Sequence, residues 1–372
     1  MTDPQQTPET TAAQVSIRPE LQKPDYHSRT LATWAIDVLC GGGFSILLMG
    51  LFLALVHTPL TAKQFSVEQV VLISAMVNWP HFMASYRLLY MSPAMVRRHQ
   101  WAAIYFPVLL LGYCVYALVD SIDLGETSLH YTVLYAVATY YLALHYTGQA
   151  WGTTATFAYL EGISFKRLER FLLRNGLRVL AVWQIVWVSH QDILPQTLPP
   201  SWMRVTYLLH AVVSFMAVGC LLIGLLVFVN VSLRTRRLPP MRVILPWLSI
   251  YLWYVLVQID PGAFYWLQIS HAIQYMIFPI RVEMNRFAKS NRDGTPAMVG
   301  HVVLFYLVLM GVGYAAFAGI PALSGSTSTA LVAGLVAVFI NIHHYFTDGC
   351  IWKIRNPAVQ RDLFAHLQQA ER

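Results

Sequence analysis

The sequence predicts an all-α, polytopic transmembrane helix bundle of about ten spans, both termini cytoplasmic. Three observations carry that expectation: an apolar content out of proportion to the charge, apolar runs of span length, and basic residues confined to alternate loops. Apolar residues make up 56% of the 372-residue chain and charged residues 12%, against roughly half and a quarter in a soluble domain. So few charges cannot clothe a water-facing surface around that much apolar material, and the mean hydropathy of +0.51 agrees. The formal charge of +7 would suit nucleic acid only if the cations formed a patch on a soluble face. They lie between apolar runs, so the expected partner is the lipid bilayer, with no nucleic acid.

Runs of about 20 apolar residues fall at 32–57, 68–90, 101–118, 131–156, 179–193, 205–232, 243–258, 263–285, 297–320 and 329–350. The loops at 91–100, 161–178, 233–242 and 281–296 hold fifteen Lys and Arg, and the alternate loops hold two, Lys63 and Arg204. That bias sets the basic loops and both termini in the cytoplasm of a plasma or inner membrane. Residues 1–30 are polar and Pro/Gln/Thr-rich without signal-peptide features, and read as a disordered cytoplasmic tail. Residues 31–352 form the transmembrane domain and 353–372 a cytoplasmic C-terminal tail. Near 163–178, Phe165, Leu168, Phe171, Leu172 and Leu177 alternate with basic residues as in an interfacial amphipathic helix. Cys40, Cys114, Cys220 and Cys350 each sit in an apolar stretch without metal-finger spacing and read as small buried hydrophobes.

Ionisable groups that are costly to hold in lipid mark sites and pathways, and histidine is the outlier here, with 13 in the chain. His81, His145, His271, His343 and His344 fall near the middle of four separate spans, within about 10 Å of one another in depth at 1.5 Å per residue. Each has polar companions at three- or four-residue spacing: Asn78 before His81, Gln149 after His145, Gln274 after His271, Asn341 and Asp348 flanking His344. The pattern predicts a metal held by His81, His145, His271 and either His344 or His343, with Asp348 as a further ligand. Asn78, Gln149, Gln274 and Asn341 would then fix tautomer and ring orientation. Clustered imidazoles gain little from each other in a low dielectric, whereas a divalent cation partners all their acceptor nitrogens. Non-haem iron suits three or four imidazoles with one carboxylate. Zinc and copper accept the same ligands, and haem can take two facing histidines.

Tyr86, Tyr140, Tyr141, Tyr146, Tyr275 and Tyr345, with Phe82, Phe346, Met83 and Met276, surround the histidines in sequence and would line an apolar pocket. Arg87, six after His81, needs a partner at its depth, for which Asp348 or a lipid headgroup is expected. The pair Pro80–His81, the mid-chain His145 and the later intramembrane histidines resemble in outline the bacterial Brp/Blh-type β-carotene dioxygenases, polytopic membrane proteins that cleave carotenoids with histidine-bound iron. Phe82 stands where that family has glycine, and no second histidine follows before His99, so the resemblance carries over to His81 alone as a ligand. The expected function is a membrane-embedded, histidine-ligated non-haem iron oxygenase or oxidoreductase acting on a lipid-soluble polyene, prenyl or acyl substrate. An electron-donor protein is unspecified. The alternative is a proton- or metal-coupled transporter using the same midplane histidines.

Overall fold

The computed structural model describes residues 31–56, 67–193, 200–290, 295–325, 329–353 and 357–365. The N-terminal tail, 1–30, and residues 366–372 lie outside the described residues. Among the described residues there is no strand, and ten long helical rods carry the fold. In chain order these are α1 (34–56), α2 (67–90), α4 (101–124), α5 (Leu129–Leu160), α6 (167–193), α7 (Pro200–Thr235), α8 (Met241–Ile259), α9 (Ala263–Ser290), α10 (295–322) and α11 (Thr329–Ile351). Two short helices, α3 (Pro93–Arg98) and α12 (Pro357–Leu363), complete the chain. Seven of the rods, α1, α4, α6, α7, α8, α10 and α11, are long and apolar enough to cross a membrane. Their outward faces are apolar, with Phe215, Leu226, Val108 and Leu304 exposed as lipid-facing residues would be.

Prolines shape these rods in a regular way. The π-helical turns Ser74–Asn78, Trp101–Tyr105 and Ala315–Gly319 each end two residues before a proline: Pro80, Pro107 and Pro321. A proline has no N–H and its ring presses on the carbonyl four residues earlier, so widening the preceding turn relieves the clash and frees backbone oxygens. Side chains from neighbouring rods take up the freed oxygens. Tyr306 OH donates to Met76 O at 2.6 Å, and Tyr90 OH donates to Ala103 O at 2.8 Å.

The segment 167–178 is not a separate interfacial helix. It runs without a break into 179–188 as a single helix, Arg167–Val188, and a π turn extends it to Ile193. A continuous buried stripe explains the join: Leu173, Gly176, Leu177, Leu180, Ala181, Gln184, Trp187 and Val188 recur at helical spacing. Gly176 is required there, because a side chain would meet the Tyr251 hydroxyl and Cys220. The 353–372 tail is also more than a tail. Residues 357–365 fold back so that Leu363 and Phe364 are buried and Asn285 Nδ2 donates to Asp362 O and Leu363 O at 2.9 and 3.1 Å.

A buried ion cluster fastens the first rod to the bundle. Arg242, at the start of α8, bonds Asp37 Oδ2 at 2.7 Å and pairs with Glu161 at the end of α5, with its guanidinium over the Phe157 ring at 5.7 Å. Asp37 in turn accepts from Leu31 N and Ala32 N at 2.9 and 3.1 Å. The chain then kinks at Gly42, whose φ is 140° and where a Cβ would stand 2.8 Å from the Leu245 backbone, so no side chain is admitted. Among the described residues the ion-pair partner of Arg87 is Glu283 on α9, at 3.2 Å, and not the expected Asp348. Removing one member of a buried pair strands the other, at a cost of about 3–5 kcal/mol. Arg242→Met is expected to lower the thermal unfolding midpoint in detergent micelles sharply, and Asp37→Asn on top of it to recover part of the loss. Additive losses in the double variant would refute the coupling.

Candidate metal centre

The four rods α2, α5, α9 and α11 meet at one level and bring four imidazoles into contact. His81 follows the π turn and Pro80, which together re-aim α2 so that its ring faces inward, 1% exposed. The ring centroids of His81 lie 4.4 Å from His344, 5.1 Å from His271 and 6.1 Å from His145; His145 lies 4.8 Å from His271 and 4.9 Å from His344. His81, His145, His344 and Asp348 each offer one donor atom within 4.8 Å of the others. His271 Nε2 is 3.0 Å from His145 Nε2, the spacing of two ligands at right angles around an ion with bonds of about 2.1 Å. Bonds of that length keep ligand atoms within about 4.2 Å of one another. Seating an ion therefore asks the group to tighten by at least about 0.6 Å.

The test of fit lies in the nitrogens themselves. Both ring nitrogens of His81 and both of His344 are buried without a hydrogen-bond partner. A buried polar atom left so costs about 1–3 kcal/mol, and the surroundings offer it rings instead of donors. Phe82 stacks on His81 at 5.0 Å, Tyr275 tilts against it at 4.5 Å, and Tyr345 stacks on His145 at 4.5 Å. Tyr146 lies 4.3 Å from His271. The group fits a divalent cation, which nitrogen and carboxylate donors share.

Asp348 reaches the group from one turn beyond His344, its Oδ2 3.5 Å from His344 Nε2. Its other oxygen is held: Ser85 Oγ donates to Oδ1 at 2.6 Å and Tyr275 OH at 3.0 Å. Trp352 Nε1 donates to the Tyr275 oxygen at 2.8 Å, leaving the Tyr275 proton for the carboxylate or for Ser85, 2.6 Å away. This arrangement points Oδ2 at the histidines. Ser85 and Trp352 escaped the sequence reading, although each stands four residues after a residue it did select, His81 and Asp348, and so shares its helical face.

Other expected residues lie elsewhere. His343 is turned away from the group, as adjacent helix positions must be. Its Nε2 lies 2.7 Å from Ala102 O, a carbonyl deprived of its helical partner by Pro107, and Tyr86 stacks on its ring at 5.1 Å. Gln149 and Gln274 touch no imidazole nitrogen. Gln149 Nε2 donates to the His271 carbonyl at 3.0 Å and to Gln274 Oε1 at 3.2 Å, and Gln274 reaches Gly41 O at 3.4 Å. They lock the backbone that carries His271. Asn341 donates to Ala337 O and accepts from Tyr345 OH, steadying the ring stacked on His145. Asn78 lines a small space beside His81 and His271.

A cavity of about 390 Å³ reaches the centre at His145 and Asp348, between α5 and α11. On the opposite side, between Asn78, Asn341 and Tyr146, the space narrows to about 20 Å³, room for about one water. Partners that orient a metal-binding group typically contribute 10- to 100-fold to metal affinity. Ser85→Ala is therefore expected to weaken metal retention about 10- to 100-fold in a chelator competition, with the unfolding temperature of the metal-free protein nearly unchanged. Unaltered retention would show that the Ser85 contact does not set the carboxylate. No family model, curated protein or solved structure matches the chain.

Proposed function

We propose that the protein is a membrane-embedded, iron-dependent oxidoreductase, an oxygenase acting on a lipid-soluble substrate of the polyene, prenyl or acyl kind. Its termini would lie on the cytoplasmic side of a plasma or inner membrane. The observation that carries this reading is the set of unpartnered nitrogens on His81 and His344 beside His145 and Asp348. Mixed imidazole and carboxylate donors with a side left open suit non-haem iron, and iron is favoured over zinc because zinc has no redox chemistry to give an oxidoreductase. When bound, iron supplies the activation of dioxygen that a hydrocarbon substrate requires.

The chain's own residues do the rest. His81, His145, His344 and Asp348 hold the ion, and His271 completes the imidazole set through its contact with His145. Ser85 and Tyr275 orient the carboxylate and keep a proton at its Oδ1. The rings of Tyr345, Tyr275 and Phe278 wall the cavity and keep bulk water from the centre. The space between Asn78, Asn341 and Tyr146, about 20 Å³, admits about one water, and that narrowness favours an enzyme over a transporter with two wide approaches.

Elemental analysis of protein purified in detergent is expected to give about one iron per chain. His145→Ala and His344→Ala are expected to lose it, and His343→Ala to keep it. With a membrane lipid extract and a chemical reductant, the iron-loaded protein is expected to consume oxygen, and the two metal-free variants are not. A folded protein that holds no metal, or a haem absorption band, would overturn the reading. Metal-dependent ion uptake into proteoliposomes without oxygen consumption would replace it with transport.

A further inference from the structure

The cavity is a slot along α5, from His145 past Gly148 and Gly152 to Thr156, eleven residues or about 16 Å. Glycines make the room. Across from Gly148 and Gly152, α11 contributes Gly349, and a Cβ built at Gly148 or Gly152 would meet nothing within 4 Å. Gly148 and Leu144 are exposed on the outer surface of the bundle, so the slot opens sideways, where acyl chains would lie. Its volume is that of a small-ligand pocket and too small for a two-chain phospholipid.

The polar groups of the slot are unevenly placed. At the end far from the histidines stands Arg174, on the basic side of the bundle. Its neighbours are engaged: Arg170 with Phe165 O, Arg178 with Asn175 Oδ1, and Arg234 with Glu169. Among the described residues Arg174 has no hydrogen-bond or ion-pair partner. Thr153 Oγ1, on the same wall and 1% exposed, is also without a partner. Gln149 Oε1, a turn from His145, is unpartnered too, and there it can accept from a hydroxyl or a water. An unpaired guanidinium and an idle hydroxyl at one end, apolar walls between, and the candidate metal centre at the other end describe the ligand.

We propose that the slot binds a single-chain amphiphile with an oxyanion head, the head at Arg174 and Thr153 and the apolar chain laid along α5 toward His145 and Asp348. This rests on the reading of His145 and Asp348 as part of the metal centre and adds to it a substrate class. It also fixes position: the centre meets the chain about 12 Å from the head, the eight-residue rise from His145 to Thr153, and the head group itself is spared. Carboxylate and phosphate heads share the chemistry that a guanidinium recognises. A neutral polyene or alcohol does not.

The test is binding of radiolabelled hexadecanoate, hexadecyl phosphate and hexadecanol to the full chain in a neutral maltoside detergent, with iron content measured on the same samples. About one anionic amphiphile per chain is expected, held at least about tenfold more tightly than hexadecanol. Arg174→Gln is expected to bring the three probes to similar affinity. Gly152→Leu, whose Cβ meets no atom within 4 Å, sends its side chain into the slot and is expected to abolish binding of all three while unfolding temperature and iron stay unchanged. Gly148→Leu serves the same purpose should the first variant fail to fold. Equal binding of hexadecanol by the unaltered protein, a preference surviving Arg174→Gln, or undiminished binding to a folded slot-filled variant would each overturn the proposal. Selective binding by protein without metal would instead retire the metal reading and leave the amphiphile site standing. Preference for one anionic head over the other identifies it as carboxylate or phosphate.

Discussion

Four buried imidazole nitrogens with no hydrogen-bond partner, two on His81 and two on His344, are the constraint around which this molecule is arranged. Partners were within reach. The hydroxyls of Tyr86, Tyr275 and Tyr345 all lie on residues packed around the histidines, yet each is spent elsewhere, on Ile340 O, Asp348 and Asn341. The fold thus surrounds the nitrogens with ring faces and directs the available donors outward. A cluster left in that condition costs about 1–3 kcal/mol per unsatisfied atom, and a cation bound there returns the cost as folding free energy. Stability and metal occupancy are therefore coupled in the reading proposed for this protein.

Holding four rods in that condition takes anchors away from the centre. Arg242 ties α1 to α8 and α5 through Asp37 and Glu161, and Glu283 ties α9 to α2 through Arg87. Glu169 does the same between α6 and α7 through Arg234 and Asn230. These clusters join rods, while Oδ1 of the centre's own carboxylate, Asp348, is held by the hydroxyls of Ser85 and Tyr275. The π turns before Pro80 and Pro107 complete the scaffold, because each converts a backbone defect into a bond between rods.

Much of this was legible in the residues, for reasons that can be named. Depth along a helix is additive at a fixed rise, so placing His81, His145, His271 and His344 at one level needed only approximate span ends. Azimuth is harder. Whether His343 or His344 faces the bundle depends on which neighbour offers a partner, and the answer lies 241 residues away in the carbonyl of Ala102. The partner of Arg87 was missed for the same reason: Glu283 belongs to another rod, and sequence spacing ranks only partners on the same helix. The segment 163–178 misled because its exposed arginines dominate its composition, while the stripe that fuses it to the next span consists of single residues three or four apart. Gln149 and Gln274 were correctly placed near the histidines in sequence but act on backbone carbonyls, which carry no sequence signature.

One regularity connects fold and site. Ten rods are present among the described residues, and the three that fall short of the apolar standard for a membrane span are α2, α5 and α9. These are the rods that bear His81, His145 and His271. Their shortfall reflects polar and ionisable side chains in and around the centre, Asn78, Ser85, Gln149 and Gln274, together with Thr153 and the anchor Glu283. A helix sheathed by neighbours has no need to be apolar all round, because its polar groups can be satisfied inside the bundle. The apolar rods α4, α7 and α10 meet that need from outside, with only 28%, 28% and 17% of their most apolar stretches buried. In a bundle of this kind, weak hydropathy in a helix of full span length is a pointer toward the interior, and here it selects three of the four elements that meet at the histidines.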